Sequence, residues 1–458
     1  MNIDGLTLND KPVPPMSLVK TPADDSKTAA AEDQDAADAT KSGRPTAKDA
    51  ALLAFVSSIG PFAANAYVPA FDEIGRYYGV GLVTVQQTLS IYLAAFACTS
   101  LLIGAASDAF GRKAVLALSM TVFAVSSLGL LFADSMEAFF IWRFVMGMAT
   151  AAGPVVTQAI VRDRWSGGDA AKIIALIAVI FGLAPALAPV VGGELTVHLG
   201  WRSIFIFLAV LSAAMAFCSA CVLKESLPRA RRVSFRPWAT LLRYGEVLKV
   251  PAFTSGVVAH GFIFLGLIVY SAGAADFVLN VMGLGVDEFG WLMIPMVVAG
   301  MTGSWACAHL LAMFGQNRLL FGGVGILAAS GLFGVVFDHG PFAVFPWVLL
   351  APVVYNLAAA AVRPALNVMN LDYFPKSRGL AASVQQFFQT GAFAVSSALL
   401  IPIVLGEAWK YAAVMLGSGL IALVLLLVVR RTRPAALAAA EAEEQAEIEL
   451  RVKPTKLS

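Results

Sequence analysis

The sequence predicts an all-α polytopic membrane protein of twelve transmembrane helices in two six-helix bundles. Three observations carry this. The 458 residues are 59% hydrophobic and 14% charged, with a mean hydropathy of +0.77, whereas soluble domains are about half apolar and a quarter charged. Apolar windows of roughly 20 residues, the length that crosses a hydrocarbon core of about 30 Å, follow one another from Ala51 to Arg430. The windows lack the alternation of barrel strands, and in lipid only an internal ladder satisfies the backbone, so each window reads as a helix.

In chain order, the first 48 residues are rich in Ala, Asp, Lys, Thr and Pro and hold little that builds a core. They read as a disordered cytoplasmic tail. No basic start leads into an apolar run, so a signal peptide is not expected. Spans are expected at 51–70, 86–106, 114–132, 138–161, 172–196 and 201–223, then at 251–275, 289–311, 317–337, 342–366, 381–405 and 408–430. Residues 49–223 and 251–430 form the two bundles, with a cytoplasmic linker at 224–250 and a tail at 431–458. In that tail the run AALAAAEAEEQAEIEL has the composition of a solvated helix.

Orientation follows from Lys and Arg. With the N-terminus inside, eighteen of them fall in cytoplasmic loops and the flank after span 12, seven in the linker alone. Outside loops hold only Arg76, Arg202 and Lys410. Both termini are therefore expected in the cytoplasm. The net charge of +2 gives no reason to expect nucleic acid. Cys98, Cys218, Cys221 and Cys307 all lie in expected spans, where small packing residues are commoner than redox pairs. No span or loop carries a nucleophile with its base, or a cluster of metal ligands, so an enzyme is not expected.

Between spans 2 and 3 the chain reads Gly104-Ala-Ala-Ser-Asp108-Ala-Phe-Gly111-Arg112-Lys113. The glycines allow a sharp turn between close helix ends, and Asp108 and Arg112 are spaced to pair with each other and with helix termini. A faint repeat at an offset of 204 maps Phe110-Gly111-Arg112-Lys113 onto Phe314-Gly315-Gln316-Asn317, with Ala312 where Asp108 would stand. Span 4 carries Arg143-Phe-Val-Met-Gly147, an arginine about one turn into the membrane, where such a charge needs a partner or a cavity. Span 5 carries Gly182-Leu-Ala-Pro185-Ala-Leu-Ala-Pro189 followed by Val-Val-Gly192-Gly193, in which prolines bend and glycines permit close packing.

These motifs, in this order, resemble the major facilitator superfamily. The stretches Ala159-Ile-Val-Arg162-Asp163 and Leu199-Gly-Trp-Arg-Ser-Ile-Phe205 resemble its drug:proton antiporters of the bicyclomycin and chloramphenicol resistance (Bcr/CflA) type. The resemblance is strongest from Val68 to Pro228. It implies alternating access between two halves, conformational gating by Gly104, Asp108, Gly111, Arg112, Lys113, Asp163, Gly182, Pro185, Pro189, Gly192 and Gly193, and a cavity lined by spans 1, 4, 7 and 10. Candidate substrate or proton contacts are then Asn65, Tyr67, Arg143, Gln158, Tyr270, Asp276, Tyr355, Asn356 and Arg363. The implied protein is an inner-membrane efflux transporter, monomeric, without a cofactor, using the proton gradient as its energy source. Its expected partners are a small-molecule substrate, protons and the bilayer.

Departures bear on mechanism. Where that branch carries an acid in helix 1, this chain reads Asn65-Ala-Tyr67-Val-Pro-Ala70-Phe71, and asparagine does not exchange a proton. Asp276 stands in either as a partly buried proton carrier or as an ordinary loop acid, Glu194 lies at the outer rim, and His260 is a lone helix histidine. Arg363 sits where the branch is apolar. It reads either as a partner of Asp372 or as a cavity cation that, with Arg143, favours an anionic or polar substrate.

Overall fold

The computed structural model describes residues 46–165, 167–338, 343–374 and 378–452, and every regular element among them is helical. The expected tail 1–48 lies outside the described residues except for its last three. There Thr46 caps the first helix, its hydroxyl accepting from the Asp49 amide at 3.2 Å. The cap starts α1 (Ala47–Tyr78) four residues earlier than expected. Pro69 breaks its ladder at the 3-10 turn Val68–Ala70, and Gly79, at φ 68°, ends it.

The following helices are α2 (Leu82–Phe110), α3 (Arg112–Leu131), α4 (Met136–Arg164), α5 (Gly167–Leu199) and α6 (Arg202–Cys221). After the linker come α7 (Pro251–Ala272), one continuous stretch Gly290–Phe337, α10 (Trp347–Asp372), α11 (Gly379–Val404) and α12 (Ala408–Val452). Ten described helices are long and apolar enough to cross a bilayer, and the two parts of α5 together make an eleventh span. The 48-residue stretch is about 72 Å long, twice a bilayer core. It turns at Gly315 (φ 74°, ψ 163°) into α8 (290–314) and α9 (316–337), giving twelve. The backbone of α12 runs on through the acidic tail, so the solvated helix expected there is an extension of the last span.

Large apolar side chains on many helices, such as Leu118, Phe132, Ile141, Val210, Phe217, Trp305 and Val424, are exposed. A surface this apolar suits lipid rather than water. Across the halves α2 packs on α11 and α5 on α8. The linker is itself structured: its helix Pro237–Leu248 places Tyr244 so that the hydroxyl donates to the Leu101 carbonyl of α2 at 2.8 Å. Tyr244 and Val247 also join an apolar cluster with Phe253, Val257 and Tyr373.

Candidate functional site

The charged network begins with Gly111. At φ 101° it turns α2 into α3, and a Cβ there would stand 2.5 Å from both Arg232 Nη2 and Glu225 Oε2. Only glycine meets both demands. The turn delivers Arg112, 9% exposed, into a cage of acceptors: its Nη1 meets Asp108 Oδ1 at 2.5 Å and donates to Ser107 Oγ at 2.5 Å, and its Nε meets Asp163 Oδ2 of α4 at 3.1 Å. Glu225 Oε1 accepts from the Arg112 amide at 3.0 Å, so a carboxylate caps the positive end of α3. Ser226 donates to Asp163 at 3.0 Å, and Arg232 holds Glu225 at 3.3 Å. The expected Asp108–Arg112 pair thus forms within a larger cluster joining α2, α3, α4 and the linker. Sequence reasoning missed Glu225, Ser226 and Arg232, which lie about a hundred residues along the chain, and also the Asp49–Arg164 pair at 3.4 Å between α1 and α4.

At the opposite end, hydrogen bonds tie one half to the other. Ser271 of α7 donates to Asn65 Oδ1 at 2.7 Å, Gln86 Nε2 to the Ala272 carbonyl at 2.7 Å, Gln87 Nε2 to the Ala398 carbonyl at 2.9 Å, and Ser90 Oγ to Ser397 Oγ at 2.9 Å. Beside this seal α5 bends by 42° between Lys172–Pro185 and Leu187–Leu199, as its prolines predict. A methyl group on Gly192 would fall on the Ala66 carbonyl, so the close approach of α5 to α1 is possible only without a side chain. Gly182, by contrast, has open space around its Cβ position.

The candidate substrate residues do not converge on one cluster. Arg143 lies seven residues into α4, about 10 Å along the helix from its first residue. It is fully buried between the rings of Tyr67 (4.0 Å) and Tyr92 (4.5 Å), with Nη1 near Met146 Sδ at 3.4 Å and, among the described residues, no hydrogen-bond partner on Nε or Nη2. Tyr67 bonds Thr88 at 2.9 Å and Tyr92 bonds Thr150 at 2.8 Å, fixing both rings. Arg363 lies in the other half, nine residues before the end of α10, stacked over Phe264 at 4.7 Å. Among the described residues it forms no ion pair with Asp372. Gln158 is exposed, and its backbone carbonyl accepts from Arg162 Nε at 3.3 Å.

Most of the remaining candidates are engaged in packing the second half. Tyr355 donates to the Ile263 carbonyl at 3.2 Å, and Asn356 to the Met296 carbonyl. Tyr270 packs edge-on against Phe277 at 4.7 Å. Asp276, 3% exposed, accepts from Asn280 (2.8 Å), the Gly406 amide (2.8 Å) and Tyr411 (2.9 Å). It is therefore a buried acid, not a loop residue. Glu194 is exposed and meets His198 at 3.2 Å.

The Major Facilitator Superfamily profile matches residues 51–396. An uncharacterised transporter of this superfamily type from Bacillus subtilis is 29% identical over 307 residues, 65% of this chain and 76% of the relative. A bicyclomycin resistance protein homologue from Haemophilus influenzae is 27% identical, covering 61% of this chain and 70% of the relative. Multidrug resistance protein D of Escherichia coli is 25% identical, covering 76% and 88%. In fold, the chain is similar to a crystal structure of the peptide transporter POT, with a TM-score of 0.68 at 14% identity, covering 86% of this chain and 97% of that one. It is also similar to that of a D-xylose-proton symporter, with a TM-score of 0.64 at 16% identity, covering 82% and 96%.

Proposed function

The chain belongs to the major facilitator superfamily and is a multi-pass secondary transporter of small molecules, and we propose that it exports a drug or small metabolite across a bacterial inner membrane in exchange for protons. It acts as a monomer with both termini in the cytoplasm, without bond chemistry and without a cofactor. The Arg112 network then faces the cytoplasm and the Asn65–Ser271 seal the periplasm.

The observation that carries export is the bent α5 with Gly192 pressed onto α1 beside the seal, where a small change of bend opens or closes the outer mouth. The bicyclomycin and multidrug resistance names of the relatives support the same direction. A second reading, transport of a specific polar or anionic metabolite with different coupling, is favoured by Asn65, which is committed to neutral hydrogen bonds where a helix 1 acid would titrate.

The coupling acid of this reading is Asp276, buried and close to the outer mouth. Inverted vesicles with an imposed pH gradient test it. Asp276→Asn loses gradient-driven accumulation and keeps downhill exchange, while Asn65→Asp is tolerated. Full accumulation by Asp276→Asn shows that another group carries the proton or that protons are not the driving ion.

A further inference from the structure

The membrane interior of this chain holds two arginines, Arg143 and Arg363, and among the described residues no carboxylate pairs with either. Each has buried guanidinium nitrogen without a hydrogen-bond partner. A cation in that state is costly in an apolar span unless something else answers its charge.

The two are not alike. Arg143 is closed in: fully buried, with tyrosine rings at 4.0 and 4.5 Å and the Met146 sulfur at 3.4 Å. Arg363 is only partly buried, and one face of its guanidinium lies on Phe264. His260 precedes Phe264 by four residues and shares its face of α7. It is 3% exposed, lies within electrostatic reach of Arg363, and its Nδ1 has no partner.

Several nearby donors are already committed. Tyr355 donates to the Ile263 carbonyl, and further along α10 Asn370 donates to Gln385 of α11 at 3.1 Å, which in turn donates to Asn367 of α10 at 2.8 Å. Arg363 Nε–H and His260 Nδ1 are left unmet in the α7–α10 seam, beside an apolar wall in which Phe264 meets Phe393 at 6.5 Å, while a further unmet atom there, Asn370 Oδ1 two turns further along α10, is an acceptor. Two donors of this kind beside an aromatic wall fit one ligand chemistry, a carboxylate on an apolar body.

We propose that Arg363 and His260 form the anion end of the cargo site, so that this transporter recognises amphipathic organic carboxylates, the carboxylate accepting from Arg363 Nε–H and His260 while the apolar body lies against Phe264 and Phe393. This rests on the transport reading and names its substrate class.

The test uses the full chain in nanodiscs and three matched probe pairs: benzoate and benzamide, 1-naphthoate and 1-naphthamide, 4-biphenylcarboxylate and its amide. In at least one pair the acid binds wild type about tenfold or more tighter than the amide, the scale of a charge-assisted hydrogen bond. Arg363→Leu abolishes that preference, Arg363→Lys keeps part of it, and His260→Gln weakens it. Arg363→Leu removes an unpaired buried charge and should fold at least as well as wild type. Should it fail to fold, the Lys and Gln variants read the same preference. No acid preference in any pair, or a preference that survives Arg363→Leu, overturns the proposal. Gradient-driven accumulation of ethidium and of the preferred acid in inverted vesicles separates the two readings. Ethidium export without acid preference sinks the carboxylate site alone, whereas acid preference without gradient-driven flux of either probe sinks proton-driven export and leaves the site standing.

Discussion

The α2–α3 and α8–α9 turns share a backbone and differ in charge. Gly111 at φ 101° and Gly315 at φ 74° occupy corresponding places in the repeat, each after a phenylalanine. Around Gly111 stand Asp108, Arg112, Asp163 and Glu225 in one bonded cluster. Near Gly315 the same positions hold Ala312 and Gln316, and Gln316 donates a single hydrogen bond to the Ala365 carbonyl at 3.3 Å. The second turn forms without the charges, so the first does not need them to fold. What the charges add is a bonded cluster between helices of the first half and the linker.

The comparison breaks most visibly if the charges prove dispensable. Asp108→Ala or Arg112→Ala should cut transport at least about tenfold at equal membrane abundance, the loss expected from charge-assisted bonds. Gln316→Ala should cost less than about twofold. Equal effects of the two sets in a vesicle transport assay would show that the turns, not the network, matter.

Next in size is the packing of α5. Gly192→Leu places a side chain on the Ala66 carbonyl and should impair closure of the outer mouth, raising leak or altering direction, with Pro185→Ala the milder change. If ligand affinity collapses while leak and direction stay normal, α5 is a binding element rather than a gate.

The two arginines sharpen the contrast between halves. Arg143→Leu should abolish transport of every substrate, while Arg143→Lys keeps part of it through the Tyr67 and Tyr92 rings. Arg363→Leu should spare cargo that lacks a carboxylate. Full activity of Arg143→Leu in a substrate panel would reduce that residue to a packing element.

The smallest effect concerns Asp338, just beyond α9. It is 6% exposed with Oδ2 unpaired, and burial pushes its pKa from 3.8 up to about 6. A carboxyl raised in the folded state favours folding while protonated and loses that contribution as pH rises through about 6. Asp338→Asn should therefore raise Tm slightly at pH 7.5 and give no gain near pH 4. The same shift at both pH values would contradict a buried titrating acid.

Much of this was legible in the sequence because the signals are local. Apolar runs gave the spans, and the Asp108–Arg112 and Pro185–Gly192 spacings each lie within one helix or turn. Thr46 extends α1 through a cap that hydropathy does not register. Glu225, Ser226 and Arg232 were not legible, because nothing periodic links position 112 to position 225. Nor were the fates of Tyr270, Tyr355 and Asn356: a polar residue on a cavity helix looks the same in sequence whether it faces the cavity or a carbonyl of its own half. Asp276 was singled out as an acid, but its three hydrogen-bond donors come from α12, the turn before it and one helical turn further on.

The central claim is that transport requires the cross-half seal to open. Ser90 and Ser397 face each other across it with their hydroxyl oxygens 2.9 Å apart, and neither belongs to the charged network or the candidate substrate residues. Ser90→Cys with Ser397→Cys, in a background with the four native cysteines replaced by alanine, places a reversible lock there. Oxidation should stop transport in proportion to the fraction cross-linked, and reduction should restore it. Undiminished transport by fully cross-linked protein would contradict alternating access through this mouth.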